Sequence, residues 1–172
     1  MRKLLIMVSL LLMICLPAAA NPASVLGNEV EIGKNITVTK SQDKKGNFVY
    51  SFKAKDGNIW RGATLFSIDN VSNSNIKNSI KLDSALNQMV NEKFSKDKYF
   101  IAADKATLLQ LGNKEVASVS IKMTFAEFGL IMNMNPLLVS TTDGIKMFIF
   151  VCADSDTAYW KPFFYKIVSD MP

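Results

Sequence analysis

Three aspartates near the C-terminal end, Asp143, Asp154 and Asp156, are the clustered carboxylates of this sequence. Paired carboxylates can act as general acid and general base, and their oxygens also bind hard cations such as Ca²⁺ or Mg²⁺. Capping and turn formation explain the same residues, because Asp accepts hydrogen bonds from free backbone N–H groups at such positions. The sequence favours capping and turn formation. A small exported hydrolase that uses these carboxylates is kept as an alternative function.

The 172-residue chain contains no histidine. The serine, cysteine and zinc chemistries that use imidazole as a base or a ligand therefore cannot be assembled from this chain alone. A Ser/Lys pair, a carboxylate pair or a Ca²⁺ or Mg²⁺ site with oxygen ligands stays compatible with the composition. The sequence also lacks a glycine-rich phosphate loop and a Gly-x-Ser-x-Gly elbow. It therefore predicts a non-enzymatic protein with no catalytic residue, no metal and no cofactor.

Cys152 ends an apolar run that begins at Met147. Free cysteine is among the most buried residue types, and a nucleophilic thiol would need a lowered pKa and a base. The sequence therefore predicts that Cys152 is a small buried apolar residue.

Trp60 and Arg61 follow the Asp56-Gly57 turn and are the candidate contact residues for a partner. Aromatic and guanidinium side chains near a loop are typical of the residues that dominate binding surfaces. Burial of Trp60 in the core, on the alternate face of its strand, is the competing interpretation.

The first 20 residues have the layout of a secretory signal peptide. Two basic residues precede an apolar run over 4–16, and the segment ends in small residues, with Ala18 and Ala20 as the cleavage signal. The apolar run is too short for a permanent membrane anchor. A lipoprotein signal ending at Cys15 is the competing interpretation, although bulky Ile14 stands where such signals have a small residue. The chain is therefore predicted to be exported to the periplasm or the extracellular space.

Cleavage would leave 152 of the 172 residues and lower the net charge from +5 to +3, since Arg2 and Lys3 belong to the signal peptide. This length suits one domain with its own core, and Cys152 would have no partner for an internal disulfide. The sequence predicts a signal peptide over 1–20, a flexible leader over 21–28, and a single globular domain over 29–172. No transmembrane segment is predicted in the mature chain.

Apolar residues alternate with period two over 48–54, which predicts a strand. Polar turns separate it from strand-like runs over 30–39 and 59–68, so the three runs predict an antiparallel meander. Further short strands are predicted over 99–125. The Asp143-Gly144 turn predicts a hairpin whose second strand, 145–153, is central and buried on both faces.

Two amphipathic helices are predicted from apolar residues at helical spacing. The first set is Leu82, Ala85, Leu86, Met89, Val90 and Phe94, and the second is Trp160, Phe163, Phe164, Ile167, Val168 and Met171. The aromatic stripe of the second helix indicates core packing rather than a ligand site. The predicted fold class is α/β (α+β), with a mostly antiparallel sheet flanked by helices.

Lysines recur in two short stretches, over 40–45 and 93–98. Such stretches can bind nucleic acid or an anionic membrane, but acidic residues interrupt both of these. The sequence favours a solvated surface and predicts no nucleic-acid partner.

A strand, an Asp-Gly turn, a long apolar strand and a closing aromatic helix follow one another at the C-terminal end. The residues of this pattern are Leu138, Val139, Asp143, Gly144, Phe148, Ile149, Phe150, Trp160, Pro162, Phe164, Ile167, Val168 and Ser169. The pattern resembles the PsbP-like family of exported α/β/α domains, and the helix over 82–94 matches the position of that family's first long helix. The resemblance implies an α/β/α sandwich and a non-enzymatic accessory or assembly role on larger protein complexes.

The sequence thus predicts an exported, non-enzymatic accessory or binding protein whose partner is a protein or another envelope component. The alternatives are the carboxylate-dependent hydrolase and a small-molecule carrier, which would need an apolar pocket between helix and sheet. The oligomeric state is left open.

Overall fold

The computed structural model describes residues 23–30, 35–68, 81–141 and 144–171. The predicted signal segment and Asp143 lie outside the described residues.

A short hairpin opens the described chain. Strands β1 (Ala23–Val25) and β2 (Asn28–Val30) pair antiparallel, with Val25 fully buried. The backbone N–H of Leu26 donates a hydrogen bond to the Tyr50 hydroxyl at 3.1 Å. Most of the segment predicted as a flexible leader is thus a hairpin that packs on the domain, because the apolar Val25 side chain enters the core.

The predicted N-terminal meander is present. Strands β3 (Ile36–Gln42), β4 (Phe48–Asp56) and β5 (Ile59–Ile68) pair antiparallel in sequence order. Gly57 has φ +60° in the tight turn between β4 and β5, a conformation that a residue with a side chain adopts at a cost.

Six further strands complete a nine-stranded sheet. They are β6 (Phe100–Ala103), β7 (Thr107–Leu111), β8 (Lys114–Ser118), β9 (Ile121–Phe125), β10 (Leu130–Thr141) and β11 (Gly144–Ala153). Strand β10 pairs with β9 through its first half and with β8 through its second half. At the sheet edge, β6 pairs with β9 and β7 pairs with β8. Strand β11 joins β10 to β5, so the two halves of the chain meet at the centre of the sheet.

Two helices cover opposite faces of the sheet. Helix α1 (Leu82–Met89) continues into a π-helical turn, Val90–Phe94, and packs against the face called here the α1 face. Helix α2 (Thr157–Ser169) packs against the other face, called the α2 face. The predicted fold class, a mostly antiparallel sheet flanked by helices, is confirmed, and its layers form an α/β sandwich.

Strand β11 shows how one strand supplies both cores. Met147, Ile149 and Val151 belong to the core under α1, whereas the alternate residues belong to the core under α2. Successive side chains of a strand leave opposite faces of a sheet, so a strand covered by helices on both sides is apolar throughout. The prediction of a central strand buried on both faces is confirmed.

Aromatic packing fixes α2 on the sheet. The Phe164 ring stacks on Phe150 with centroids 4.6 Å apart, and it meets Phe52 edge-on at 5.2 Å. Trp160 is fully buried beside Phe52. At the other end of the helix, Lys114 Nζ donates to the Ser169 carbonyl at 3.1 Å, which satisfies one of the C-terminal acceptors of α2.

Neither described helix is both long and apolar enough to cross a membrane.

Candidate binding site at one end of the sheet

Two hairpin turns and the start of α2 meet at one end of the sheet. The β4–β5 turn lies there because β4 ends at Asp56 and β5 begins at Ile59. The antiparallel pairing puts the end of β11 and the start of β10 at the same level. The 3₁₀ turn Asp154–Asp156 leaves β11 at this point and leads into α2.

Exposed apolar side chains concentrate at this end. Among the described residues, seven large apolar side chains are exposed, and they are Ile59, Trp60, Ile101, Leu108, Phe128, Leu130 and Ile131. All except Leu108, which lies on β7, belong to the two hairpin turns or to the start of β6. The six residues other than Leu108 are called here the apolar end.

Trp60 projects from the start of β5 on the α1 face and is 67% exposed. Its register partner on β4 is Lys55, whose Nζ lies 5.4 Å from the Trp60 ring centroid. The next residue of β5 on this face is Gly62, which offers no side chain for the indole to pack against. The interpretation of Trp60 as a core residue is therefore wrong, and its ring is accessible.

Arg61 points to the opposite face because it follows Trp60 directly in a strand. Its guanidinium forms an ion pair with Asp156, and its Cζ lies 5.1 Å from the Tyr159 ring centroid. The structure therefore does not combine the two predicted contact residues into one contact. Arg61 connects β5 to the beginning of α2, and Trp60 is the exposed member of the pair.

The β9–β10 turn provides the second apolar projection. A 3₁₀ turn, Ala126–Phe128, ends at Gly129 with φ +61°, and Phe128 is 57% exposed. Below it, the Tyr99 ring stacks on Phe125 at 4.8 Å, with Lys98 Nζ 4.3 Å above Tyr99. Phe128, Leu130 and Ile131 were not among the residues predicted to contact a partner. Their signal was apolar residues on both sides of a turn glycine, where polar residues are usual.

Asp154 and Asp156 form ion pairs at this end. Asp154 accepts hydrogen bonds from Lys122 Nζ at 3.1 Å and from Asn133 Nδ2 at 3.2 Å. These two bonds, with Lys122 the larger cause, hold the pKa of Asp154 below its usual range. Asp156 occupies the N-cap position of α2, but its side chain makes no capping bond and pairs with Arg61. The predicted capping by these side chains is therefore corrected to ion pairing.

A buried polar network supports Asp154 from the α2 face. Asn133 and Asn135 are buried on β10, and Asn135 Nδ2 donates to Asn133 Oδ1. Asn133 Nδ2 also donates to Ser120 Oγ at 2.9 Å. Buried amides need such partners, so the network holds the 3₁₀ turn against β10.

Cys152 is fully buried on β11, as predicted. Burial raises the pKa of its thiol to about 11, with smaller contributions in the same direction from Asp156 and Asp154. Thr157 Oγ1 lies 3.7 Å from Cys152 Sγ. The thiol is therefore protonated at neutral pH and is a poor nucleophile.

The described residues contain no group of three or more Cys, Asp or Glu side chains that could hold a metal ion. Comparison of the chain with protein-family models, with curated proteins and with solved structures gives no match.

Proposed function

We propose that this chain is an exported, non-enzymatic accessory or binding protein of the cell envelope or extracellular space, and that it contacts its partner through the apolar end. The observation that carries the proposal is the concentration of exposed apolar side chains there, six of seven among the described residues. Scattered exposed apolar residues are ordinary, but a group at one place on a surface marks an interaction site.

Rigidity of the surface supports a binding role. The Arg61–Asp156 pair ties the 3₁₀ turn to β5, and the bonds of Asp154 to Lys122 and Asn133 tie it to β9 and β10. The two hairpin turns are therefore held in fixed relation before any partner arrives. Preorganisation of this kind lowers the entropy cost of binding.

The order of helix, sheet and helix also supports the proposal. It is the layering expected from the PsbP-like resemblance, which implies accessory factors that bind larger complexes. Fold alone does not define function, so the apolar end is the stronger argument.

Thiol labelling tests whether the apolar end is covered in native cells. Phe128→Cys places a thiol in the apolar end, and Leu108→Cys is the matched control on the sheet edge. Both parent side chains are exposed, at 57% and 40%, and native Cys152 is buried and unreactive. We expect both variants to react with a hydrophilic maleimide when purified, and Phe128→Cys alone to be protected in the envelope fraction of native cells. Equal labelling of both variants in that fraction would contradict the proposal.

A further inference from the structure

We infer that the apolar end docks on a lipid bilayer surface, with its two hairpin turns inserted at the boundary between headgroups and acyl chains. The inference rests on the proposed function and names the chemistry of its partner.

The apolar side chains are divided between separate projections. Trp60 on β5 and Phe128 beside β10 are separated by the end of β11 and by exposed Ser155 in the 3₁₀ turn. Leu130 lies on the α1 face and Ile131 on the α2 face, as their register with Phe125 and Thr124 requires. A single flat protein surface would contact one face of a sheet end. A fluid bilayer admits separate projections from both faces.

Charged groups at this end suit a membrane interface. Lys55 and Lys98 lie next to the rings of Trp60 and Tyr99. Aromatic rings favour the interfacial zone, and lysine side chains extend from it to lipid phosphates.

The carboxylates between the two turns do not oppose this docking. Asp154 and Asp156 are each paired with a cation, so their repulsion of phosphates is offset. The negative charges of exposed Asp56 and Glu127 in turn balance the positive charges of Lys55 and Lys98. Apolar insertion therefore supplies most of the expected affinity, and lipid charge supplies less.

Contacts near both described ends of the chain lie away from this surface. Leu26 is bound to Tyr50 and Met171 to Lys114, both towards the opposite end of the sheet. Met171, the last described residue, is thus remote from the two turns.

Tryptophan fluorescence provides a direct test, because the sequence has two tryptophans in opposite environments. Trp160 is fully buried and Trp60 is 67% exposed. With vesicles of equal parts phosphatidylcholine and phosphatidylglycerol, we expect a blue shift and an intensity gain that arise from Trp60. Trp60→Phe should still co-sediment with the vesicles while its emission stays constant.

Removal of the apolar side chains tests the same docking by sedimentation. The variant combining Trp60→Ser, Phe128→Ser and Ile131→Ser should lower the vesicle partition coefficient by about 100-fold, since each lost insertion costs a several-fold factor. Leu108→Ser is the control and should partition like the wild type. The substituted side chains are exposed, so the fold should be retained. In the triple variant, which lacks Trp60, the emission of buried Trp160 verifies this directly.

Two results would overturn the inference. The first is that the wild-type protein does not bind the vesicles, and the second is that the triple variant partitions as well as the wild type. Protection of Phe128→Cys in native envelopes together with absent vesicle binding would retain the proposed function and transfer the contact to a protein partner.

Discussion

Burial determines the chemistry of the one cysteine in the described chain. Cys152 lies on the central strand between two cores, and its pKa of about 11 follows mainly from desolvation. The same residue type at an exposed position would carry a thiolate at far lower pH. Cys152 therefore contributes to packing, and its ionisation opposes the folded state.

The stability of the protein should fall as the pH rises from about 9 to about 11. In this window the unfolded thiol loses its proton while the folded thiol retains it, so alkaline pH favours the unfolded state. Below pH 9 both states are protonated and the contribution is constant. The measurement is urea unfolding of the wild type against Cys152→Ala, which removes the thiol and leaves every other ionisable side chain in place. We expect a shallower alkaline decline in the variant, and identical pH profiles would contradict this assignment.

At the residue level, the sequence located the important side chains better than their partners. Asp154 and Asp156 were identified, but capping was expected, because a local bond can be inferred from adjacent residues. Their cations, Lys122 and Arg61, come from distant strands. Only the register of the sheet brings these charges together, and a single sequence does not contain that register.

The C-terminal end of α2 lies directly over the β7–β8 turn. Gly112 in that turn has φ +61°, and a Cβ atom there would lie 2.9 Å from Ser169 Oγ and 3.3 Å from the Ser169 carbonyl oxygen. Gly57 has nearly the same φ, but its Cβ would meet open space. Substitution of Gly57 therefore measures the cost of backbone strain alone, whereas substitution of Gly112 measures backbone strain plus the collision with α2.

Gly112→Ala should destabilise the protein more than Gly57→Ala. Both variants carry the cost of a left-handed residue, about 1 kcal/mol. Gly112→Ala adds the collision with α2, for which about 1 kcal/mol more is expected. Urea unfolding measures both, and Ser169→Ala in the Gly112→Ala background should restore part of the loss. Equal destabilisation by the two glycine substitutions would show that the end of α2 can shift to accommodate the new methyl group without loss of stability.

Most elements followed from residue periodicity. Alternation identified the N-terminal meander, and helical spacing identified both helices, because each element has one face in a core. No helix or strand was predicted over 126–134, where exposed Phe128 and Ile131 break the rule that turns are polar. That failure coincides with the candidate binding site, where function can override local preference.

For the whole molecule, export is the prediction with the clearest test. The signal peptide over 1–20 is predicted from its own composition, and the predicted mature chain has one cysteine and therefore a core without an internal disulfide. The fold class could be predicted from the sequence, because it depends on the sum of many elements. The identity of the partner was inaccessible, because exposed residues are constrained by molecules outside the chain.

Export predicts that the mature protein begins at Asn21. Cleavage after Ala20 follows the small-residue rule of signal peptidases. Intact-mass spectrometry of protein from the envelope or medium of native cells measures this directly. Retention of Met1 would contradict export by this signal, and a lipid-modified Cys15 at the N-terminus would establish the lipoprotein alternative.

The central position of β11 limits the order in which the chain can fold. Residues 147–152 of β11 pair with residues 68–63 of β5, so this joint is formed late in synthesis from segments far apart in sequence. Contacts of such long range slow folding, and until they form, β5 and β10 each present an unpaired edge. A nascent chain therefore stays incompletely folded until Ala153 has emerged. For the predicted export, an incompletely folded chain is the form that can pass through a narrow translocation pore. The two open strand edges would need protection until β11 pairs with them.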